Sequence, residues 1–174
     1  NACNTLRANF SSPVYEGDAR EFDFSRVTSP IEVVAGGPPC QPFSLGGKAK
    51  GNQDERDMFP HAIRAINELR PKVFIFENVK GLLRQSFASY LEYILLRLTF
   101  PSVQKNKGEE WFRHLSRLEK MKSSGSVKEE YRVVFRLLNA ADYGVPQKRE
   151  RVFIVGIRED AGIAWSFPDP THSN

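Results

Sequence analysis

Three short stretches of this 174-residue chain carry side chains whose chemistry could be combined. "GGPPCQPFS" at 36–44 sets Cys40 and Gln41 among glycines and prolines; "FENV" at 76–79 holds Glu77 and Asn78; "QKRER" at 147–151 holds Gln147, Arg149 and Arg151. A cysteine thiolate is a strong nucleophile, a carboxylic acid can hand over a proton, and a guanidinium group orients an oxygen with paired N–H donors. Together they suit covalent attack on an electron-poor ring whose nitrogen is protonated as the bond forms. Taken singly, each residue also has an ordinary structural use: a cysteine packs, an acid caps a helix, alternating charges blunt a strand edge. The set gains its meaning only if the fold brings it to one place.

The elements that must do this can be read from the pattern. "IEVVA" at 31–35 and "KVFIF" at 72–76 read as short buried strands that end at Gly36-Gly37 and Glu77-Asn78. Between them Phe59, Ala62, Ile63, Ile66 and Leu69 recur at helical spacing, with Pro60 tolerable in the first turn and Pro71 closing the segment. A strand, helix, strand unit of this kind makes the two strands parallel neighbours. A second amphipathic stretch runs from about Phe87 to Leu98, and strand-like runs follow at 131–139 and 151–157. Their linker, "NAADYGVPQKRE", carries Gly144 and Pro146 and has no helical period, so an antiparallel hairpin is expected and the last strand should run against the others. In an open α/β sheet, ligands bind beyond the carboxyl ends of the parallel strands. Cys40 and Glu77 lie past such ends, and an antiparallel last strand begins on the same edge, so "QKRER" arrives there too.

Composition narrows the classes. Lys and Arg outnumber Asp and Glu by 25 to 21, and the resulting +4 and pI near 9.1 are compatible with a polyanionic partner without demanding one. Two cysteines make no disulfide framework and no Cys/His cluster has zinc spacing, which points to a reducing compartment and to no metal. No apolar run approaches the ~20 residues of a membrane span, and "NACNTLRANF" is not a signal peptide. The chain therefore reads as one soluble, intracellular domain, or part of one. Residues 99–129 interrupt the scheme as a polar, Lys-rich insertion around one helix, on which Trp111, Phe112, Leu115, Leu118 and Met121 are expected to share a face. Its seven Lys/Arg against three acids between Lys105 and Lys128 could meet DNA, but a solvated helix packed by Trp111 and Leu115 is the simpler reading.

The three stretches, in this order and in these strand contexts, resemble the DNA cytosine-5 methyltransferases: "GGPPCQPFS" their Pro-Cys-Gln loop, "FENV" their Glu-Asn-Val motif, and "DYGVPQKRERVFIVG" at 142–156 their Gln-x-Arg-x-Arg motif. The resemblance implies an α/β, Rossmann-like class I methyltransferase sheet, mostly parallel with an antiparallel last strand. It implies that Cys40 adds to C6 of cytosine and that Glu77 protonates N3, so that C5 takes a methyl group from S-adenosylmethionine. Arg151, with Arg149, would hold the O2 side; Asn78 would brace the loop; Gln41 and Gln147 would approach double-stranded DNA, from which the target base must be flipped. Asp18 in "EGDAR" resembles the acid that contacts the cofactor's adenine, and Phe43 and Ser44 lie where the family's loop meets the cofactor. "DERDMF" at 54–59 resembles the element that follows the catalytic loop, and "FPDPTHS" at 167–173 the segment leading toward target recognition.

Other parts of the family pattern are not found. The opening Phe-x-Gly-x-Gly turn, the acid after the second strand, the target-recognition region and the closing Asn motif are absent from residues 1–174, and "NACNTLRANF" resembles the helix after the second strand. The expectation is a partial catalytic domain, one part of a split enzyme or a piece whose complementary chain or segment lies elsewhere, bacterial and cytoplasmic or else nuclear. Two alternatives stand beside it: a transfer RNA cytosine-5 methyltransferase of the same fold, and a silent regulatory or scaffolding subunit. Retention of Cys40, Glu77, Arg149 and Arg151 together argues against the second.

Overall fold

Strand β1 (Val33–Gly36) and strand β2 (Val73–Val79) pair in parallel, Val33 opposite Val73 and Gly36 opposite Phe76, and the chain crosses between them through helix α2 (Phe59–Leu69). The computed structural model describes residues 2–39 and 57–172. Helix α1 (Ala2–Asn9) precedes β1 and buries none of its side chains. The spacing of Phe59, Ile63 and Ile66 puts all three on one stripe of α2, and all three are buried. Asp57 takes the place of a helix cap: its Oδ1 accepts the Phe59 N–H at 3.1 Å, one of the amides a first turn leaves without a partner. Arg70 ends the helix in the left-handed region at φ 48°, with its N–H returned to Ile66 O, and Pro71 prevents continuation.

Helices α3 (Ala88–Thr99) and α4 (Trp111–Ser124) follow, then strands β3 (Tyr131–Asn139) and β4 (Glu150–Arg158). The sheet order is β1-β2-β4-β3, with β4 antiparallel to both neighbours. Three strands thus share one direction and the last opposes them, as the linker without helical period predicts, although among the described residues β1 and β2 are the only adjacent parallel pair. Between β3 and β4 a 3-10 turn (Ala140–Tyr143) ends at Gly144, whose φ of 84° and close approach to the His172 ring leave no room for a side chain.

One face of the sheet carries Val34, Phe74, Phe76, Val152, Ile154 and Tyr131, and α2 and α3 close over it to form the core. Phe74 stacks on Phe76 at 5.2 Å and meets the Tyr131 ring at 5.4 Å. The Tyr131 hydroxyl donates to Pro71 O at 2.7 Å, tying the start of β3 to the α2–β2 turn.

Two expectations need correction. Strand β1 is not buried, since Val33 is 53% exposed and only Val34 turns into the core; with a pairing partner on one side, the strand gains little cover from four residues. On α4 the buried side chains are His114, Leu115 and Leu118, while Phe112 is 51% exposed. Counting three, four and seven from Trp111 gives 114, 115 and 118, and residue 112 lies off that stripe.

Candidate active site

Strand β2 does not stop at Glu77. It continues through Asn78 to Val79, so Glu77 is a strand residue that faces away from the buried Phe76 and Asn78. Its direct partner on β4 is Phe153, and Arg151 stands opposite Val79, two positions along on the same face. That diagonal spacing suits a long side chain reaching across a strand pair. Arg151 Nε lies 2.7 Å from Glu77 Oε1, and Arg151 Nη1 donates to Glu150 O at 2.8 Å. The Glu77 side chain keeps 38% of its surface exposed, so the pair is oriented yet reachable from solvent. Lys80 Nζ grips both carboxylate oxygens of Glu150 at 2.8 and 2.7 Å and so joins the end of β2 to the start of β4 beside the pair.

The chain leaving β1 passes directly over this pair. A Cβ at Gly37 would lie 3.4 Å from Glu77 Oε2, an ordinary contact distance that sets the backbone leaving β1 beside the carboxylate. Asn78, 4% exposed and turned toward the core, donates from Nδ2 to Pro38 O at 3.1 Å and accepts the Val79 N–H at 2.9 Å. It braces the backbone two residues before Cys40. Cys40, Gln41, Phe43 and Ser44 lie outside the described residues, as do residues 54–56 of "DERDMF". The described chain resumes at Asp57, and Met58 N donates to Pro39 O at 3.3 Å, so residues 39 and 58 meet beside β1.

Arg149 and Gln147 are exposed in the β3–β4 connection. The Arg149 amide donates to Asn139 Oδ1 at 3.1 Å and its carbonyl accepts the Ala140 N–H at 3.0 Å, so the backbone is fixed while the guanidinium stays outside. The segment after β4 folds back onto this connection: Thr171 and His172 amides donate to Asp142 O at 2.9 and 3.0 Å, and the Tyr143 hydroxyl donates to Pro168 O at 3.1 Å.

Asp18 belongs to a second place. It lines an open cavity of about 650 Å³ with Tyr15, Phe22, Phe24 and residues of the α1 end. Arg20 holds its carboxylate by Nε at 3.0 and 2.9 Å and by Nη2 at 2.5 Å, and this hydrogen bonding lowers the Asp18 pKa to about 2. The carboxylate thus stays ionised beside three aromatic rings. Two residues here escaped the sequence reading. Arg64 of α2 donates to three carbonyls of the Asp18 loop, and His61 on the same helix has its pKa lowered, first by burial and then by Arg64 and Arg20. The detectable signal was helical: residues 61 and 64 share a face of α2 that does not carry Ile63 and Ile66. Among the described residues no group of three or more metal-ligating side chains converges, and no described helix is long and apolar enough to cross a membrane.

Comparison with known proteins fixes the class of fold first. A prophage-encoded E. coli protein described as a DNA modification methyltransferase superposes with a TM-score of 0.60 at 24% identity, over 95% of this chain and 39% of that one. S. pombe Dnmt2 methyltransferase superposes at 0.56 with 16% identity, over 94% and 42%. The fold is that of the class I methyltransferases. At the level of sequence, the model of the C-5 cytosine-specific DNA methylases matches residues 1–100 and 103–173, and the chain belongs to that family. Type II methyltransferase M.AquIA of Picosynechococcus is 41% identical over 98% of this chain and 63% of its own length. M.NgoMIV of Neisseria gonorrhoeae is 38% identical over 97% and 45%. The chain thus spans about half to two thirds of the length of these relatives.

Proposed function

We propose that this chain carries the reacting groups of an enzyme that methylates C5 of cytosine in duplex DNA. The observation that supports the reading best is the Glu77–Arg151 pair, joined at 2.7 Å directly beneath Gly37, where the backbone leaves β1 toward Cys40. In this reading the Cys40 thiolate forms a bond to C6 of the base while Glu77 gives a proton to N3, which moves electron density to C5. Arg151 orients the Glu77 carboxyl and, with Arg149, faces the O2 side of the ring. S-adenosylmethionine, when bound, supplies the methyl group. Loss of the C5 proton to a base, departure of the thiolate and return of the N3 proton to Glu77 restore the aromatic ring and the free enzyme.

A stacked cytosine does not expose C6 to a thiolate, so the base is flipped out of the duplex. Asn78 holds the Pro38 carbonyl two residues before Cys40, and fixing the chain there reduces the entropy lost when the thiol meets the ring. Asp18, Phe43 and Ser44 take the cofactor's side; Gln41 and Gln147 take the DNA side. The region of the relatives' length not matched by this chain would come from a further segment or a complementary chain, and residues 99–129 form a packed insertion rather than a DNA contact.

The test is to trap the adduct. Duplex DNA carrying 5-fluorocytosine at the target position has no C5 proton to lose, so with S-adenosylmethionine and the whole protein a covalent complex should survive a denaturing gel. Cys40→Ala should abolish it. A complex that persists in Cys40→Ala overturns the mechanism, and trapping of transfer RNA in preference to duplex DNA overturns the substrate.

A further inference from the structure

We propose that Arg64 of helix α2 is a positioning residue for the Asp18 cavity, holding the loop behind Asp18 in the shape that binds the adenosyl part of the methyl donor. The proposal rests on the reading of that cavity as the cofactor's side. Arg64 Nη1 donates to Phe22 O at 3.0 Å, and Nη2 donates to Ala19 O at 3.0 Å and to Arg20 O at 3.3 Å. Its Cζ lies 4.7 Å above the centre of the Phe24 ring. One guanidinium therefore fixes the backbone on the far side of Asp18 from its own local bonds and supports an aromatic ring of the cavity wall.

The geometry needs arginine. Three carbonyls converge on two adjacent nitrogens of a planar fork, and an ammonium on a flexible stem cannot meet all three while staying over the ring. The Asp18 carboxylate, by contrast, is held within its own turn, by the Arg20 side chain and by the Arg20 amide at 2.9 Å. That turn is internally rigid, and Arg64 ties it to a helix whose other face is locked into the core by Phe59, Ile63 and Ile66. Because the side chain of Arg64 is 31% exposed and lies off the buried stripe, its replacement leaves the packing of α2 intact. What is lost is preorganisation, which a ligand must then supply from its own binding energy.

The experiment compares Arg64→Lys, Arg64→Gln, Asp18→Asn and the Arg64→Lys/Asp18→Asn double variant in the whole protein, by calorimetric titration with S-adenosylhomocysteine and by steady-state methylation. Both Arg64 variants should weaken S-adenosylhomocysteine and raise the KM for S-adenosylmethionine by roughly tenfold, with kcat and the KM for DNA within about twofold. Asp18→Asn should weaken the same ligand, and the double variant should lose less than the two single losses combined, because both act on one loop. If Asp18→Asn weakens binding while both Arg64 variants do not, Arg64 has no positioning role. If neither position matters, the cavity is not the cofactor's and the proposal falls with that reading. Equal losses in kcat and both KM values, with additive double-variant effects, would mark a general structural defect and overturn it as well.

Discussion

The two faces of the sheet are built from the same four strands and serve opposite ends. On one, Phe74, Phe76, Val152 and Ile154 are sealed beneath α2 and α3. On the other, alternate residues of the same strands include Val33, 53% exposed, Ile75, and the Glu77–Arg151 pair. The covered face is apolar apart from Asn78 and loosens only toward β3, where Phe135 is 43% exposed, so its centre resists change; the open face is where charged groups can be oriented and still be met by a large ligand. The chain after β4 returns along the open face at its β3 side, where Arg132 donates to Ile163 O at 3.2 Å and Arg136 lies 5.0 Å over the Phe167 ring. Period-two alternation lets one strand pair hold both jobs, because a residue's face is decided by register alone.

The strongest way to break the comparison is at Gly156, on the covered face opposite Phe74. A Cβ there would lie 2.1 Å from two carbons of the Phe74 ring, and that ring is fully buried. Gly156→Ala should therefore cost about 3 kcal/mol or more in urea unfolding, with Phe74→Ala in the range of about 3–5 kcal/mol for the cavity it leaves. The double variant should be more stable than the sum of the two losses predicts, since each relieves the defect of the other. A Gly156→Ala chain as stable as the parent would mean that β2 and β4 do not pack in this register.

The open face is tested by Glu77→Gln, which keeps shape and removes the proton to be given. The pair is partly solvated, so the unfolding free energy should change by less than about 1 kcal/mol. Methyl transfer by the whole protein should fall by about 10²–10⁴-fold, the usual range for loss of a general acid. A rate unchanged by Glu77→Gln would remove Glu77 from the chemistry, and a large loss of stability would mean that the pair serves the fold.

How much of this was legible depended on whether the signal lay in one element or between two. Helix α2 could be read because Phe59, Ile63 and Ile66 repeat at its own period, and the hairpin because Gly144 and Pro146 deny a helix to the linker. The end of β2 was misplaced because a glutamate after an apolar run looks like the start of a loop; in the sheet it is simply the solvent-facing step of the alternation. Arg64 was invisible since its three acceptors lie more than 40 residues away in sequence, and a cation beside a helix's apolar stripe reads as solvated. The motif singled out Asn78 but not its partner, since Pro38 O, which accepts from Asn78 Nδ2, lies 40 residues away in sequence.

The smallest expected effect belongs to the helical layer over the covered face, where His114 is fully buried beneath α3. Its Nδ1 lies 2.9 Å from the Tyr93 hydroxyl and its Nε2 has no partner among the described residues. Burial lowers the His114 pKa to about 4, and Arg97 from α3 and Arg117 on α4 push in the same direction against Glu109. The unfolded chain takes up this proton as pH falls through about 6.5, while the folded chain resists until about 4. Stability should therefore be level above about pH 6.5 and fall between there and pH 4, by about 2–3 kcal/mol, after which this histidine adds no further slope. Glu109, whose pKa is lowered to about 2 chiefly by its bond to Arg117, loses its contribution in a lower window, below its ordinary value of 4.5. Urea titrations of the parent and of His114→Phe at pH 7.5, 6, 5 and 4.5 separate the two, because the substitution removes only the slope above pH 4.5. His61, also lowered, should leave a shallow remainder in both proteins. Equal slopes in parent and variant would show that His114 is charged in the fold, and the layer over the covered face would then be open to water there.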